Sequence, residues 1–159
     1  MKIDTFGYRR ASQSVKLLAS GFLLLALIGL GVVALQIHVK TGLTTRGTLS
    51  HYRGDDATLQ SAMSFGELVE VTHAHALTMP FLVLVLGSAF VLTEASERLK
   101  QIVVIGLLTS VALELALPWL VRYGPSWTAH AFSVAGLLLG GSMFAAVAVP
   151  LYEMWLTPR

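Results

Sequence analysis

Residues 15–38 read VKLLASGFLLLALIGLGVVALQIH, and Lys16 is the only Lys, Arg, Asp or Glu among them. Roughly 20 mostly apolar residues are enough for a helix to cross the hydrocarbon core of a bilayer, so this stretch is a membrane span. It outruns the roughly 7–15 apolar residues of a secretory leader and no A-x-A cleavage site follows, so it reads as a permanent span. Working outward, three further segments meet the same test, at about 73–93, 101–121 (QIVVIGLLTSVALELALPWLV) and 129–152. The whole chain agrees: 159 residues are 55% hydrophobic and 13% charged, with a mean hydropathy of +0.71. Soluble domains do not have this composition.

The links between the later spans are short, EASERLK at 94–100 and RYGPSWT at 122–128. Short links make neighbouring helices antiparallel, so the expected fold is an all-α integral membrane protein, a single up-down bundle of four transmembrane helices over 1–159. Its one sizeable extramembrane piece is an outer loop at 39–72. That piece is rich in Gly, Thr and Asp and reads as loop as far as Ser64, where S-F-G-E fits a capping box with Glu67 reaching back.

Orientation follows from the basic residues. Lys2, Arg9, Arg10, Lys16, Arg98, Lys100 and Arg159 fall on one side, against Lys40, Arg46, Arg53 and Arg122 on the other. The positive-inside rule then puts both termini in the cytoplasm of a multi-pass protein, with a bacterial inner membrane as the expected site. Trp119, Tyr123 and Trp127 at one end and Tyr152 and Trp155 at the other sit where interfacial rings belong.

Several classes are excluded or set aside. Cysteine is absent, which removes disulfides, thiolate metal sites, CxxC chemistry and covalently attached haem. The isoelectric point of 9.2 comes from a net charge of only +2 without a basic stripe, so nucleic acid is not an expected partner.

The candidate site begins at V-E-V-T-H-A-H-A-L-T-M-P-F, residues 69–81. At 1.5 Å per residue, His38, His73, His75 and His130 come out near one level at the outer edge of the membrane, with His51 in the loop above. Any one of them could do ordinary interfacial work, with its apolar body toward lipid and its polar tip toward water. As a set, they could hold a metal or a haem. Ser133, Val134, Leu137 and Gly141 share the face of His130, and Gly31, Ala34 and Leu27 that of His38, leaving room for a flat macrocycle. Gly136-x-x-x-Gly140, on a neighbouring face, reads as ordinary helix packing.

His73 and His75 point about 200° apart, so one of them at most faces the bundle interior. Glu70-x-x-His73 shares a face and supplies half of a di-iron carboxylate pattern, or a carboxylate that orients the histidine. Glu114 lies within the third span, roughly 10 Å deeper than the histidine layer by the same count, where an ionisable group marks a functional site by default. Pro118, four residues on, cannot donate to the Glu114 carbonyl, which leaves the backbone there open to water.

Three functions fit. The first is an electron-transfer subunit binding one redox cofactor, b-type haem or a quinone, near the periplasmic face. In it His38, His73, His75 or His130 serve as ligands, haem propionates reach toward Arg53, Arg122, Tyr52 or Trp127, and Glu114 is the proton-handling residue. The second is an outer-face site for an Fe, Cu or Zn ion built from His73, His75, His130 and Glu70. The third is a non-catalytic scaffold or assembly subunit. The layout resembles small membrane cytochrome b subunits, and that resemblance implies haem b and membrane or periplasmic redox partner subunits in a larger complex. Cytochromes of that kind with two haems carry histidine pairs near both faces, whereas the cytoplasmic half here has none, so the resemblance implies one haem at most.

Overall fold

The computed structural model describes residues 7–156, and among them every regular element is helical. A 3-10 turn at Tyr8–Arg10 leads into α1 (Gln13–Thr41), α2 (Thr45–Arg53), α3 (Phe65–Val91), α4 (Glu97–Tyr123) and α5 (Thr128–Trp155). The four long helices run to 27–29 residues, about 40–44 Å at 1.5 Å per residue, and so overhang the ~30 Å hydrocarbon core at their ends. They alternate in direction, so residues 7 and 156 lie at one end, the terminal end, and α2 lies at the other. Each is long and apolar enough to cross a membrane.

Local chemistry sets the boundaries. The Ser64 side chain accepts the Glu67 amide at 3.2 Å while Glu67 Oε2 accepts the Ser64 amide at 2.6 Å, the reciprocal box the sequence implies. Ser12 and Ser96 cap α1 and α4 by the same use of a hydroxyl. α1 stops at Gly42, which takes φ +60, a conformation natural to glycine and costly for most other residues.

The outer segment is not loop throughout. Thr44 Oγ1 accepts the Gly47 amide at 3.0 Å and starts α2, which ends at Gly54 with φ +83. Propensity hides this helix, because T-T-R-G-T-L-S-H-Y-R is rich in Thr and Gly. Tertiary burial decides instead: Thr48 and Tyr52, one turn apart on one face, are buried.

The core lies between α3, α4 and α5, where Leu86, Phe90, Leu107, Leu139, Met143 and Ala146 interdigitate. α4 and α5 approach most closely at Gly106, where an added Cβ would collide with Ser142 Oγ. The Gly136 and Gly140 reading is corrected here: a Cβ at either meets nothing within 4 Å, so neither mediates helix contact.

α1 stands apart. It packs on α5 and, at its far end, on α2, with no comparable packing against α3 or α4. Leu23 is its fully buried apolar anchor. Near the termini, Lys16 Nζ donates to the Met154 carbonyl at 2.9 Å and Trp155 Nε1 donates to Ser20 Oγ at 2.8 Å. Both oxygens of buried Glu153 accept the Glu94 amide, at 3.0 and 2.9 Å, and Arg9 pairs with Glu94 at 3.2 Å. The helix is therefore fastened at its two ends and lifted from α3 in between.

Candidate functional site

The lifted stretch of α1 leaves a cavity of about 640 Å³ with α2 as its roof. α1 contributes Leu27, Leu30, Gly31, Ala34 and Ile37 to the wall, α3 contributes Thr72, His75 and Met79, and α4 contributes Glu114 and Pro118. Phe132, Gly136, Leu139 and Gly140 of α5 complete it. A second space of about 630 Å³ between α3 and α4 is walled by residues such as Val83, Leu84, Leu107 and Leu108, with no ionisable group. Only the first of these two spaces has the means for proton or ligand chemistry.

His75 and Glu114 are its polar centre. His75 lies ten residues inside the start of α3 and Glu114 nine inside the end of α4, which puts each about 14 Å below the α2 end. They share one level, not levels 10 Å apart, because α4 starts at Glu97, four residues before the expected boundary, while α3 stops at Val91. Both line the same space. His75 Nδ1 lies 2.8 Å from the Val71 carbonyl. A carbonyl only accepts, so in the neutral ring Nδ1 carries the proton and Nε2 keeps its lone pair for the cavity. Pro118 brings no N–H to the Glu114 carbonyl, and it lines the same wall.

The roof adds a donor. Burial, and after it the charge of Glu114, pushes the Tyr52 hydroxyl up to about 12, so it stays protonated at physiological pH. Its ring packs against Phe132, centroids 5.7 Å apart, and against His51 at 5.0 Å. His51 also lines the cavity. Burial first and Lys40 second lower its affinity for a proton, against an opposing pull from Glu67. Gln36, Lys40 and Thr72 complete the polar α2 end, while Leu27, Met79 and Leu139 make the floor apolar. Trp119 Nε1 donates to Thr72 Oγ1 at 2.7 Å, which sets an indole at the cavity edge.

The other candidates are placed elsewhere. His38, His73 and Glu70 are exposed and line neither space. His75 is thus the member of the 73/75 pair that turns inward. His130 is exposed, with Nδ1 3.1 Å from Thr45 Oγ1, and the Ser133, Val134, Leu137 and Gly141 face below it is exposed too. The face drawn beneath His38 does better, since Leu27, Gly31 and Ala34 line the cavity without His38 itself. Among the described residues no three His, Asp or Glu side chains converge as a metal ion requires.

The two arginines are engaged with backbone. Arg53 donates from Nε to the Val121 carbonyl at 2.6 Å, from Nη1 to Ser126 Oγ at 3.1 Å and from Nη2 to the Gly124 carbonyl. Arg122 Nε donates to the Met63 carbonyl at 2.8 Å, and its guanidinium lies 5.0 Å from the Tyr123 ring centroid. They tie the outer segment to the end of α4. The residue that reading by helix level misses is His51, set aside as a loop histidine. Its signal was the Thr48–Tyr52 spacing that betrays α2.

Residues 42–159 match a known family of membrane domains. The chain belongs to the Aq_1264_TM family, a transmembrane helical domain. No curated protein and no solved structure matches it. As an Aq_1264_TM domain it is an integral, multi-pass membrane protein in contact with lipid. The match covers α2 to α5, and hence His51, Tyr52, His75 and Glu114, whereas α1 precedes it.

Proposed function

We propose that this Aq_1264_TM chain is a quinone-binding membrane subunit of a larger electron-transfer complex. The observation that carries the reading is that His75 and Glu114 line one otherwise mostly apolar cavity among helices long and apolar enough to span a membrane. A quinone headgroup is a flat ring with opposed oxygens, which need donors when oxidised and acceptors when reduced. His75 and Glu114 supply either role by gaining or losing a proton, and the Tyr52 hydroxyl is a fixed donor above them. Quinol oxidation releases two protons and two electrons. This chain holds the ring, His75 Nε2 and the Glu114 carboxylate take one proton each, and the two electrons pass one at a time to a one-electron carrier on a partner subunit, which is reoxidised between them.

A b-type haem suits the cavity less well. It calls for two axial histidines on walls that face across one space; His75 and His51 both line this one, but His51 stands on the roof helix α2 with its ring against Tyr52, and His38, His73 and His130 do not line it.

Binding is tested by fluorescence. In a Trp127→Phe, Trp155→Phe background, decylubiquinone is expected to quench Trp119 saturably. Quenching that rises linearly without saturation would count against a site. Glu114→Gln is expected to weaken binding of the corresponding quinol about tenfold, the scale of one charge-assisted hydrogen bond, and to change quinone binding much less. Equal losses for both forms would remove Glu114 from proton handling.

We also propose that both termini are cytoplasmic and the α2 end periplasmic in a bacterial inner membrane, on the strength of the basic residues at the terminal end. Leu59 is 92% exposed in the outer segment, and the chain has no native cysteine to interfere. A Leu59→Cys variant is expected to react with an impermeant maleimide in intact spheroplasts. Labelling only after lysis inverts the orientation.

A further inference from the structure

The cavity is graded along the membrane normal. Lys40 and Gln36 of α1 meet His51 and Tyr52 at the α2 end, and Leu27 and Met79 close the opposite end. From Lys40 to Leu27 is thirteen residues of one helix, about 20 Å. Its polar groups run from the α2 end down to the level of His75 and Glu114, and the wall below them, at Leu27 and Met79, offers no hydrogen bond to a second polar group of a ligand.

The cavity is also open on one side. α1 packs on α5 and α2 but not comparably on α3, although both α1 and α3 line the space. Gly31 and Ala34 are exposed even though they line it, and a Cβ at Gly31 meets nothing within 4 Å. Small residues at mid-helix thus keep a gap between α1 and α3 at membrane depth. The surrounding medium there is hydrocarbon, so what passes through the gap must be lipophilic.

Resting on the quinone reading, we infer that the ligand enters sideways from the bilayer through the gap between α1 and α3 and carries a long hydrocarbon tail. Its ring sits at the level of His75 and Glu114. The tail runs over Leu27, Leu30 and Met79 and leaves through the gap into the lipid. The site is therefore specific for membrane-dissolved, chain-bearing quinones rather than for small water-soluble ones arriving past α2. Burial of each tail methylene against this floor adds affinity that a tailless ring does not gain.

The test is photolabelling of the full chain in lipid nanodiscs with a benzoquinone whose alkyl tail ends in a diazirine. The label is expected on α1 around Leu27 and Leu30 or on α3 around Met79, and excess decylubiquinone should suppress it. Leu27→Trp, which narrows the floor below the ring, is expected to weaken decylubiquinone about tenfold while binding of the tailless 2,3-dimethoxy-5-methylbenzoquinone is unchanged. Label concentrated on residues 55–63, or equal loss of both ligands in Leu27→Trp, would overturn lateral entry and leave the quinone site standing, provided Trp119 quenching still saturates. Neither saturable quenching nor competed label would overturn the site and the portal together.

Discussion

Gly136→Phe is expected to abolish saturable quinone binding and leave the protein folded. Gly136 lies on the α5 wall of the cavity, and the position where its Cβ would stand has no neighbour within 4 Å. A phenyl ring there enters the space proposed for the quinone ring, and its Cβ meets no packed atom. Replacing glycine in a helix interior by Phe also relieves a few tenths of a kcal/mol of backbone cost, so helical content and thermal midpoint should hold. Gly106→Phe makes the contrast. A Cβ there would collide with Ser142 of α5, and overpacking between α4 and α5 costs roughly 1–3 kcal/mol or more. Circular dichroism on heating, alongside Trp119 quenching, separates the two. Unchanged quinone affinity in a folded Gly136→Phe protein would show that the ligand does not use this cavity.

The contrast between these glycines also shows where sequence reading reached its limit. Four spans were legible because hydrocarbon demands length and apolarity, and both are local properties. The Ser64–Glu67 box was legible because a reciprocal cap needs a spacing of three. Helix levels were less legible: the expected boundary at Gln101 set Glu114 about 10 Å below the histidines, whereas α4 starts at Glu97 and brings Glu114 level with His75. Which glycine touches a neighbour depends on where α1 stands, and that is set by fastenings far apart in the chain, such as Lys16 on the Met154 carbonyl. Gly136-x-x-x-Gly140 has the pattern of a packing motif and lines a void instead. Likewise His130, only two residues inside the start of α5, stands about 12 Å nearer the α2 end than His75 and turns to Thr45, away from the interior. Both the level of a side chain and its rotation about the helix axis depend on where each helix starts and on what it packs against.

Arg53→Ala is expected to cost roughly 2–4 kcal/mol, the largest loss of stability foreseen for a residue outside the core. The guanidinium fork bonds the Val121 and Gly124 carbonyls and the Ser126 hydroxyl from one planar group. The carbonyls at a helix C-terminus lack intrahelical donors, and the partial negative charge gathered there favours a cation. Val121 is fully buried, so water does not freely replace the lost donor at its carbonyl. Arg53→Lys keeps the charge but cannot span three acceptors with one ammonium in the same plane, and it should recover less than half of the loss. The damage should be local before it is global. α2 carries Arg53 on its last turn and Tyr52 and His51 beside it, so release of the fork lifts the roof of the cavity. Amide exchange of α2 residues 48–53 should therefore accelerate in Arg53→Ala well before that of α3 or α4, and quinone affinity should fall with it as water reaches Glu114. If α2 exchanges as slowly as in the native protein, the fork is not what holds the roof, and the fall in stability has to be traced to the end of α4 alone.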